Sequence, residues 1–281
     1  MASVAQNDLF VVVPEAMTAL PAQQQTKLEQ FRKERATAAV QVVKINANLL
    51  KAGPQLAPSR NLNLNFSTDK VFAAVATKID QRSENDFTWH GNVPGKPSAV
   101  TLVVNGDNVT GSATIANEQL YTIEPLGSGL HAIIRKDPAK FPPEHPPGFE
   151  GIERSRKSLE PRRDQRGDDN GQVIRVLVAY TPAVAAAHSD IGSFVQLAVD
   201  ESNTSYQNSQ ITPRLELAHS YQVNYTESGD FDTNLRRFRE NNDGFMDEVH
   251  ALRDAYTADV AVLIFNNNAA CGLASDIIAN A

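Results

Sequence analysis

The chain has 281 residues, of which 41% are hydrophobic and 21% charged, and its formal net charge is −7. This length suits about two domains of roughly 100–200 residues, and the composition is typical of a folded globular protein. The negative charge argues against binding to nucleic acid or to anionic membrane surfaces, and no apolar run approaches the roughly 20 residues of a transmembrane helix. The sequence therefore predicts no nucleic-acid partner and no membrane partner.

The first predicted helix covers about residues 22–50. Apolar residues recur there at three- and four-residue steps, Pro21 precedes the segment and Gly53-Pro54 follows it. Leu9–Val13 is shorter than the apolar core of a signal peptide, about 7–15 residues, and no cationic residue precedes it. From these residues alone, either the protein is cytoplasmic or a leader has been removed.

Residues 61–137 are predicted to be rich in β-strands. Asn61–Phe66 alternates polar and apolar residues with a period of two, as in a strand with one solvent-exposed face. Further short β-like runs are separated by turn sequences such as Asn105–Asn108. These runs are Phe87–Gly91, Ala99–Val104, Val109–Ile115, Gln119–Ile123 and Gly129–Ile134. The spacing predicts an antiparallel meander or a small sandwich, within a first domain of residues 1–137.

Residues 138–172 are predicted to form a linker. Its first part, Phe141–Pro147, is expected to be stiff and extended, because proline fixes φ and has no N–H to donate. Through Asn170 the charges then nearly balance and apolar anchors are almost missing, so this stretch cannot bury enough surface to order itself. We therefore expect proteolysis in the linker.

The remaining residues, 173–281, alternate between strand and helix patterns. The strand-like runs are Val173–Tyr180, Arg214–Ala218 and Asp259–Phe265, and the helical stretches are Pro182–Asn208 and Phe231–Tyr256. Apolar strands separated by helices are typical of a parallel sheet that is covered on both faces. The whole chain is therefore predicted to be a two-domain α+β / α/β protein.

Residues with metal-binding or nucleophilic chemistry are scattered. The sequence contains no H-E-x-x-H, in which two histidines share a metal, no G-x-S-x-G and no phosphate-binding glycine loop. His250 and Asp254 have the spacing of one helical turn, where a surface ion pair is more common than half of a metal site. His145 in the linker is a minor candidate ligand. The other histidines, which are expected to be surface or hydrogen-bonded residues, are His90, His131, His188 and His219.

Cys271 is the only cysteine of the chain. One interpretation is a buried small hydrophobic residue, and the other is a disulfide partner whose mate lies beyond residue 281. A single cysteine does not form a structural zinc site, because such sites usually use four ligands. The sequence leaves both interpretations open.

Two blocks of sequence resemble a known family of zinc peptidases. The first block is similar to the β-rich propeptide of reprolysin-like bacterial zinc endopeptidases, and in particular to the bacterial peptidyl-Asp metalloendopeptidases. It consists of Phe87–Gly91, Ala99–Val104, Val109–Ser112, Tyr121–Ile123, Gly129–Ile133 and Asp137–Pro147, and the last of these, with Phe141–Pro147, carries the similarity to the peptidyl-Asp metalloendopeptidases. The second block resembles the amino-terminal half of the catalytic domain of the same family. It consists of Ile174–Pro182, Ala198–Asn203, Asp259–Ile264 and Ala270–Ala274.

The resemblance implies a β-rich propeptide-like domain with an N-terminal helix, followed by the first half of a metzincin-like α/β domain. It implies the precursor of a secreted or periplasmic zinc endopeptidase that cleaves peptide or protein substrates on the amino side of Asp. Zinc is the cofactor of the family. Because H-E-x-x-H is absent, we expect no stable zinc binding and no hydrolysis by residues 1–281, and we interpret the sequence as truncated before the zinc-binding helix.

The resemblance also assigns two functional segments. The first matches the family's edge strand, whose free backbone groups pair with an extended peptide substrate. Its residues are Cys271, Gly272, Leu273 and Ala274. The second is the linker, where self-cleavage would occur at Asp164, Asp168 and Asp169. No cysteine precedes the linker, so inhibition through a cysteine switch is unavailable.

Two other classes of function stay open on the sequence. The amino-terminal part is alternatively a non-enzymatic protease inhibitor or folding helper, whose partner is its own or a related protease domain. The chain is also compatible with a plain α/β binding module for an unrelated ligand. Inhibition of a related mature protease by residues 1–172 would favour the first of these alternatives.

Overall fold

The computed structural model describes residues 7–13, 20–51, 57–67, 70–116, 119–144 and 172–274. The protein has the mixed α+β class that the sequence predicts. Contacts group the described residues into two units. The first comprises those up to Phe141 together with Ala185–Glu201, and the second those of Pro142–Val184 and those from Ser202 onward. In the described part of the chain, no helix is long and apolar enough to span a membrane.

Nine strands among the described residues of the first unit pair into one antiparallel sheet. They are β1 (Phe10–Val12), β2 (Thr37–Ile45), β3 (Asn61–Ser67), β4 (Lys70–Ser83), β5 (Asp86–Asn92), β6 (Ser98–Asn105), β7 (Asn108–Ile115), β8 (Gln119–Gly127) and β9 (Leu130–Lys136). Their order is β1-β2-β9-β8-β7-β6-β5-β4-β3. The predicted meander is confirmed for β3 to β9, and the alternative of a small sandwich is wrong because all nine strands belong to one sheet.

The two outer strands of this sheet meet. Asp8 forms a bridge with Asn63, and the Leu9 amide donates to the Asn63 carbonyl at 3.0 Å. The Phe10 amide donates to the Asn65 side-chain oxygen at 2.9 Å. The sheet therefore closes on itself, and these contacts occupy backbone groups that an open sheet edge would leave unpaired.

Hydrophobic residues fill both sides of the closed sheet. Leu62, Leu64 and Phe66 alternate with asparagines along β3 and belong to the larger core, which confirms the predicted period of two. On the other side, Leu28 and Phe31 of helix α1 (Ala22–Lys33) join a smaller cluster. Burial of apolar area on both sides is the main force that holds the sheet together.

The predicted helix over residues 22–50 is wrong in its second half. Helix α1 ends at Lys33, residues 37–45 form β2, and only a short 3-10 helix follows at Ala47–Leu49. Adjacent residues Val42 and Val43 are both buried, one in each core. A strand that is buried on both sides loses its alternation, and its β-branched residues fit a sheet better than a helix.

Gly91→Ala is expected to destabilise the first unit by about 1–3 kcal/mol, the usual cost of overpacking. A Cβ at Gly91 would lie 2.4 Å from ring atoms of Trp89 and 2.6 Å from the carbonyl oxygen of Val75. Trp89 is the only tryptophan, it is fully buried and its indole N–H donates to the Ser59 carbonyl at 2.9 Å. Urea unfolding followed by Trp89 fluorescence measures the loss.

Gly192→Ala is the matched control for this substitution. Gly192 lies in a helix, and the nearest atom to its added Cβ is a side-chain oxygen 3.7 Å away. Alanine there has room and raises helix propensity, so stability should stay the same or rise. Equal stability of the Gly91→Ala variant and the wild type would contradict the close packing of Trp89 against this glycine.

The second unit contains a sheet of three strands, which are β10 (Val173–Tyr180), β11 (Arg214–Gln222) and β12 (Val260–Ile264). Their order is β11-β10-β12 and both pairings are parallel, which confirms the predicted parallel sheet. The remaining helices are α2 (Pro182–Ala187), α3 (Ile191–Asn208), α4 (Phe231–Arg239) and α5 (Glu248–Ala255). Another short 3-10 helix lies at Pro138–Lys140.

Two expectations about this region are wrong in detail. The two predicted helical stretches, Pro182–Asn208 and Phe231–Tyr256, are each divided into two helices. The second is interrupted because the Asp247 carboxylate accepts from the amides of Asn242 at 2.6 Å and Gly244 at 3.0 Å. These contacts fold residues 240–247 into a turn. The sheet is also not covered on both faces, since Val260 and Val262 of β12 are 45% and 42% exposed.

Candidate peptide-binding segment

A groove of about 710 Å³ lies in the second unit, next to residues 270–274. Most of its lining is apolar and comes from α4, α5 and β12, including Leu235, Val249 and Leu263. His250 and Arg253 add polar groups to the lining. The groove therefore combines an apolar floor with a few polar side chains, as small-molecule and peptide sites commonly do.

Residues 270–274 form no strand, and their backbone contacts a segment far away in sequence. The Cys271 amide donates to the Pro143 carbonyl at 2.9 Å, and the Gly272 amide donates to the Glu144 carbonyl at 3.1 Å. The Cys271 thiol lies 3.5 Å from the Pro142 carbonyl oxygen. The predicted role of Cys271–Ala274 in pairing with substrate stays a prediction, and in the structure the amides of Cys271 and Gly272 donate to these two carbonyls.

Cys271 is exposed, so the interpretation as a buried small hydrophobic residue is wrong. Its neighbour Ala270 is buried instead and lines the groove. Cys271 also lines the groove, and its backbone amide donates to the Pro143 carbonyl. A thiol in this position is open to reagents.

The two residues with helical metal-ligand spacing are not brought together as ligands. The His250 ring nitrogen Nε2 lies 3.2 Å from the Glu240 carbonyl oxygen, and Asp254 forms an ion pair with Arg253 at 3.0 Å. Among the described residues, no group of three His, Cys, Asp or Glu side chains is placed to hold a metal ion. The described residues therefore do not provide the ligands of a zinc site.

The other described histidines have structural partners. His131 is fully buried and its Nε2 accepts from the Val109 amide at 3.0 Å. His90 lies 3.3 Å from Asp80, and His188 lies 3.3 Å from Glu124. His219 stacks on Tyr256 with ring centroids 3.9 Å apart. These contacts confirm the prediction of surface or hydrogen-bonded histidines, while His145 and the linker residues Asp164, Asp168 and Asp169 lie outside the described residues.

Polar contacts hold residues 185–201 within the first unit. The Thr88 hydroxyl donates to the buried Asp200 carboxylate at 2.7 Å, and Ser112 donates to Glu201. Nearer the start of α3, Asn105 donates to Asp190 at 3.1 Å. These side chains lie on β5, β6 and β7, so the face of the meander provides a row of donors for the acidic residues of α3.

Two titratable groups in this region have shifted pKa values. Burial raises the pKa of Glu201 although part of its side chain is exposed, the hydrogen bond from Ser112 opposes this rise, and the charge of Asp200 adds to it. Burial lowers the pKa of Lys27, and the charge of Glu124 opposes this. Lys27 also donates to the Ser189 hydroxyl at 2.7 Å. The contacts of residues 185–201 with the rest of the first unit therefore include charges whose desolvation has a cost.

The sequence did not predict the contact of Pro142–Glu144 with Cys271 and Gly272, or that of Thr88 with Asp200. The first uses backbone carbonyls, which every residue has, so side-chain patterns could not find it. The second joins residues 112 positions apart. Only the proline-rich composition of Phe141–Pro147 gave a signal, because it predicts an extended segment with free carbonyls.

Comparison with known proteins finds one matching family model and several similar proteins. The family model described as Metallo-peptidase family M12B Reprolysin-like matches residues 193–279. A peptidyl-Asp metalloendopeptidase of Xanthomonas campestris pv. campestris is 35% identical over 89% of this chain and 62% of its own length. One from Stenotrophomonas maltophilia (strain K279a) is 35% identical over 86% of this chain and 60% of its own length.

A further relative matches a shorter region. The peptidyl-Asp metalloendopeptidase of Pseudomonas fragi is 50% identical over 58 residues, which are 21% of this chain and 36% of that protein. The chain thus spans about three fifths of the length of the Xanthomonas and Stenotrophomonas relatives. The similarities to the Xanthomonas and Stenotrophomonas proteins extend over both units of the structure and confirm the predicted resemblance to the bacterial peptidyl-Asp metalloendopeptidases and the reprolysin-like metallopeptidases.

Proposed function

We propose that this chain is part of the precursor of a secreted zinc metalloendopeptidase that cleaves peptide bonds on the amino side of Asp. The identity of 35% to peptidyl-Asp metalloendopeptidases over 89% of the chain is the observation that carries the proposal. In this proposal residues 1–137 are the propeptide, residues 138–172 the linker that is cut, and residues 173–281 the first half of a metzincin-like catalytic domain.

The groove and the segment beside it are consistent with a peptide substrate. Cys271–Ala274 borders the groove, and two of its amides donate to the backbone carbonyls of Pro143 and Glu144. Backbone hydrogen bonds of this kind recognise a peptide of any sequence, while the groove supplies the side-chain contacts. Processing at Asp164, Asp168 and Asp169 follows from the proposed specificity and belongs to the same proposal.

Residues 1–281 alone are expected to show no hydrolysis and to bind less than one zinc per chain. Residues 1–281 contain no H-E-x-x-H, so this length of chain offers no histidine pair of that motif to bind the metal and no glutamate of that motif to activate a water. Metal analysis of the purified chain measures the zinc content, and mass spectrometry of a test peptide with one Asp measures cleavage.

The positive control for these cleavage and zinc measurements is the longest protein that the natural reading frame encodes. If it contains an H-E-x-x-H segment, that protein should cleave the same peptide before Asp and should lose this activity with a chelator. Cleavage at other residues would overturn the specificity. Stoichiometric zinc or cleavage by residues 1–281 would overturn the expected inactivity of this length of chain.

A non-enzymatic role for the first unit is the alternative. Its supporting observation is that the first unit includes Ala185–Glu201 and holds it through Thr88 and Ser112. A propeptide that binds this helix would act as an inhibitor or a folding helper of a related protease. Adding residues 1–172 to the mature protease of a relative discriminates the two functions, because tight inhibition favours the alternative.

A further inference from the structure

A small pocket lies in the first unit, between β2 and the ends of β3 and β4. In the described part of the chain, β1 pairs with β2 only at Val43–Ile45, and the Val13 amide adds one bond to the Val42 carbonyl. Beyond these contacts the two sides of the closed sheet separate around a pocket of about 350 Å³, which β8 and β9 also line. This volume lies at the lower end of the range for ligand pockets, and the mouths of barrels are a common place for them.

The floor of this pocket is part of the larger hydrophobic core. Phe66 of β3 and Tyr121 of β8 are both buried, and their rings stack with centroids 4.0 Å apart and planes 6° from parallel. Ile133 of β9 is buried in the same core. All three side chains line the pocket, so a flat apolar group that enters it meets aromatic and aliphatic carbon atoms.

Two polar residues take positions at the pocket where the apolar rows of the core end. Arg135 lies two residues after Ile133 on β9 and is the cross-strand partner of Tyr121. Gln41 lies two residues before Val43 on β2 and is the partner of Ile133. Because side chains on a strand alternate between its two faces, Arg135 and Gln41 share the face of the larger core.

Two positive charges line the same pocket. Lys70, at the start of β4, is half-buried, and Arg135 is exposed. Within the described residues, neither side chain forms an ion pair or a hydrogen bond, in contrast to Lys136, which pairs with Glu34. Like charges on one small pocket repel each other, so this arrangement favours an anion that contacts both of them.

We propose that this pocket binds a small aromatic carboxylate, either a free molecule or the carboxyl-terminal phenylalanine or tyrosine of a peptide. The planar guanidinium of Arg135 matches both oxygens of the carboxylate, and Lys70 adds a second charge. The stacked rings of Phe66 and Tyr121 pack against the aromatic body. Gln41 offers an amide that can donate or accept at the rim. This binding does not depend on the proposed peptidase activity.

Both halves of the ligand contribute to binding. Acetate and inorganic phosphate reach the two cations but leave the apolar floor in water, and phenylacetamide covers the floor without supplying a charge. We therefore expect each of them to bind at least about tenfold more weakly than phenylacetate. Because both cations are open to solvent, the affinity for phenylacetate should also decrease as the salt concentration rises.

Isothermal titration calorimetry of the full chain with phenylacetate tests the pocket. Arg135→Gln and Lys70→Gln should each weaken binding by about fivefold or more, because each removes one of the two charges. Lys44→Gln is the matched control, since Lys44 lies three residues from Gln41 on the opposite face of β2 and its substitution changes the net charge equally. It should leave the affinity unchanged. Unchanged Trp89 fluorescence verifies that each variant is folded.

A second titration identifies the source of the carboxylate. A tetrapeptide of three glycines and a carboxyl-terminal phenylalanine is compared with the same peptide as its carboxyl-terminal amide. Tighter binding of the free-acid peptide than of phenylacetate supports the pocket as a site for peptide ends. Tighter binding of phenylacetate supports it as a site for a free small molecule. In both cases the amide should bind at least about tenfold more weakly than the acid.

Three results would overturn the proposal. The first is no measurable binding of either phenylacetate or the free-acid tetrapeptide. The second is equal affinity of the wild type and the Arg135→Gln and Lys70→Gln variants, which would place the binding elsewhere. The third is equal affinity for phenylacetate and acetate, which would remove the role of the aromatic floor. None of these results changes the zinc and cleavage tests of the peptidase proposal.

Discussion

Replacing Asn234 with alanine is expected to lower the free energy of unfolding of the second unit by about 2–4 kcal/mol. Asn234 is fully buried on α4, and its side-chain oxygen accepts three hydrogen bonds. The donors are the Tyr225 hydroxyl at 2.6 Å, the Ser228 amide at 3.1 Å and the Ser228 hydroxyl at 2.8 Å. Alanine leaves the buried Tyr225 hydroxyl and the two donors of the exposed Ser228 without their shared acceptor, which costs more than the loss of one ordinary hydrogen bond.

Ser228→Ala is the graded control for this prediction. It removes one donor and keeps the other two bonds to Asn234, so it should cost only about 1 kcal/mol. Hydrogen exchange of residues 223–239 measures the stability of the second unit. Trp89 fluorescence is unsuitable here because Trp89 lies in the first unit. Equal effects of the two substitutions would contradict the role of Asn234 as the shared acceptor. The predicted difference reflects how many donors depend on one oxygen.

The first unit is expected to lose up to about 3 kcal/mol of stability through His131 as the pH falls from 6.5 to 4. Burial lowers the pKa of His131 from its ordinary value of 6.5 to about 4, and a backbone contact at Gly129 opposes part of this shift. The folded state therefore holds a neutral imidazole in a pH range where the unfolded chain is protonated. The contribution is fully present above pH 6.5 and is lost as the pH falls towards 4.

The variant His131→Gln isolates this effect. Glutamine can accept from the Val109 amide as the imidazole does at 3.0 Å, but it does not titrate. The stability of the wild type relative to the variant, from urea unfolding followed by Trp89 fluorescence, should therefore decrease by about 3 kcal/mol between pH 7 and pH 4. His219→Gln, which removes a half-buried imidazole from the second unit, controls for the loss of one histidine. A constant difference over this range would contradict burial of a neutral His131.

The sequence predicted those strands whose pattern is local. β5 to β9 have turn residues between them and β10 to β12 are separated by helical patterns, so each strand was identified near its observed bounds. β4 was missed because Lys70–Ser83 is mostly exposed and polar at one end. β2 was assigned to a helix because both of its sides are buried, and this burial depends on β9, which lies far away in sequence.

The sequence predicted which residues form the candidate site but not the contacts that these residues make. Family resemblance assigned Cys271–Ala274, and no residue pattern could show that their amides bind the carbonyls of Pro142–Glu144. The same limit applies to the hydrogen bond between Thr88 and Asp200. Threonine and aspartate are common polar residues, and neither sequence segment by itself indicates that the two side chains meet. Contacts between backbone atoms, or between common polar residues, become visible only when the chain is folded.

The closure of the nine-stranded sheet sets an order for folding. β1 bridges to β3, and β2 pairs with β9, so both need partners from opposite ends of the meander. Pairing between residues far apart in sequence is slow, because closing the loop between them loses conformational entropy before any favourable contact forms. The meander from β3 to β9 can form by neighbouring hairpins first. Strand β1 is therefore expected to dock last, and Leu9 and Phe10 remain exposed to solvent until it does.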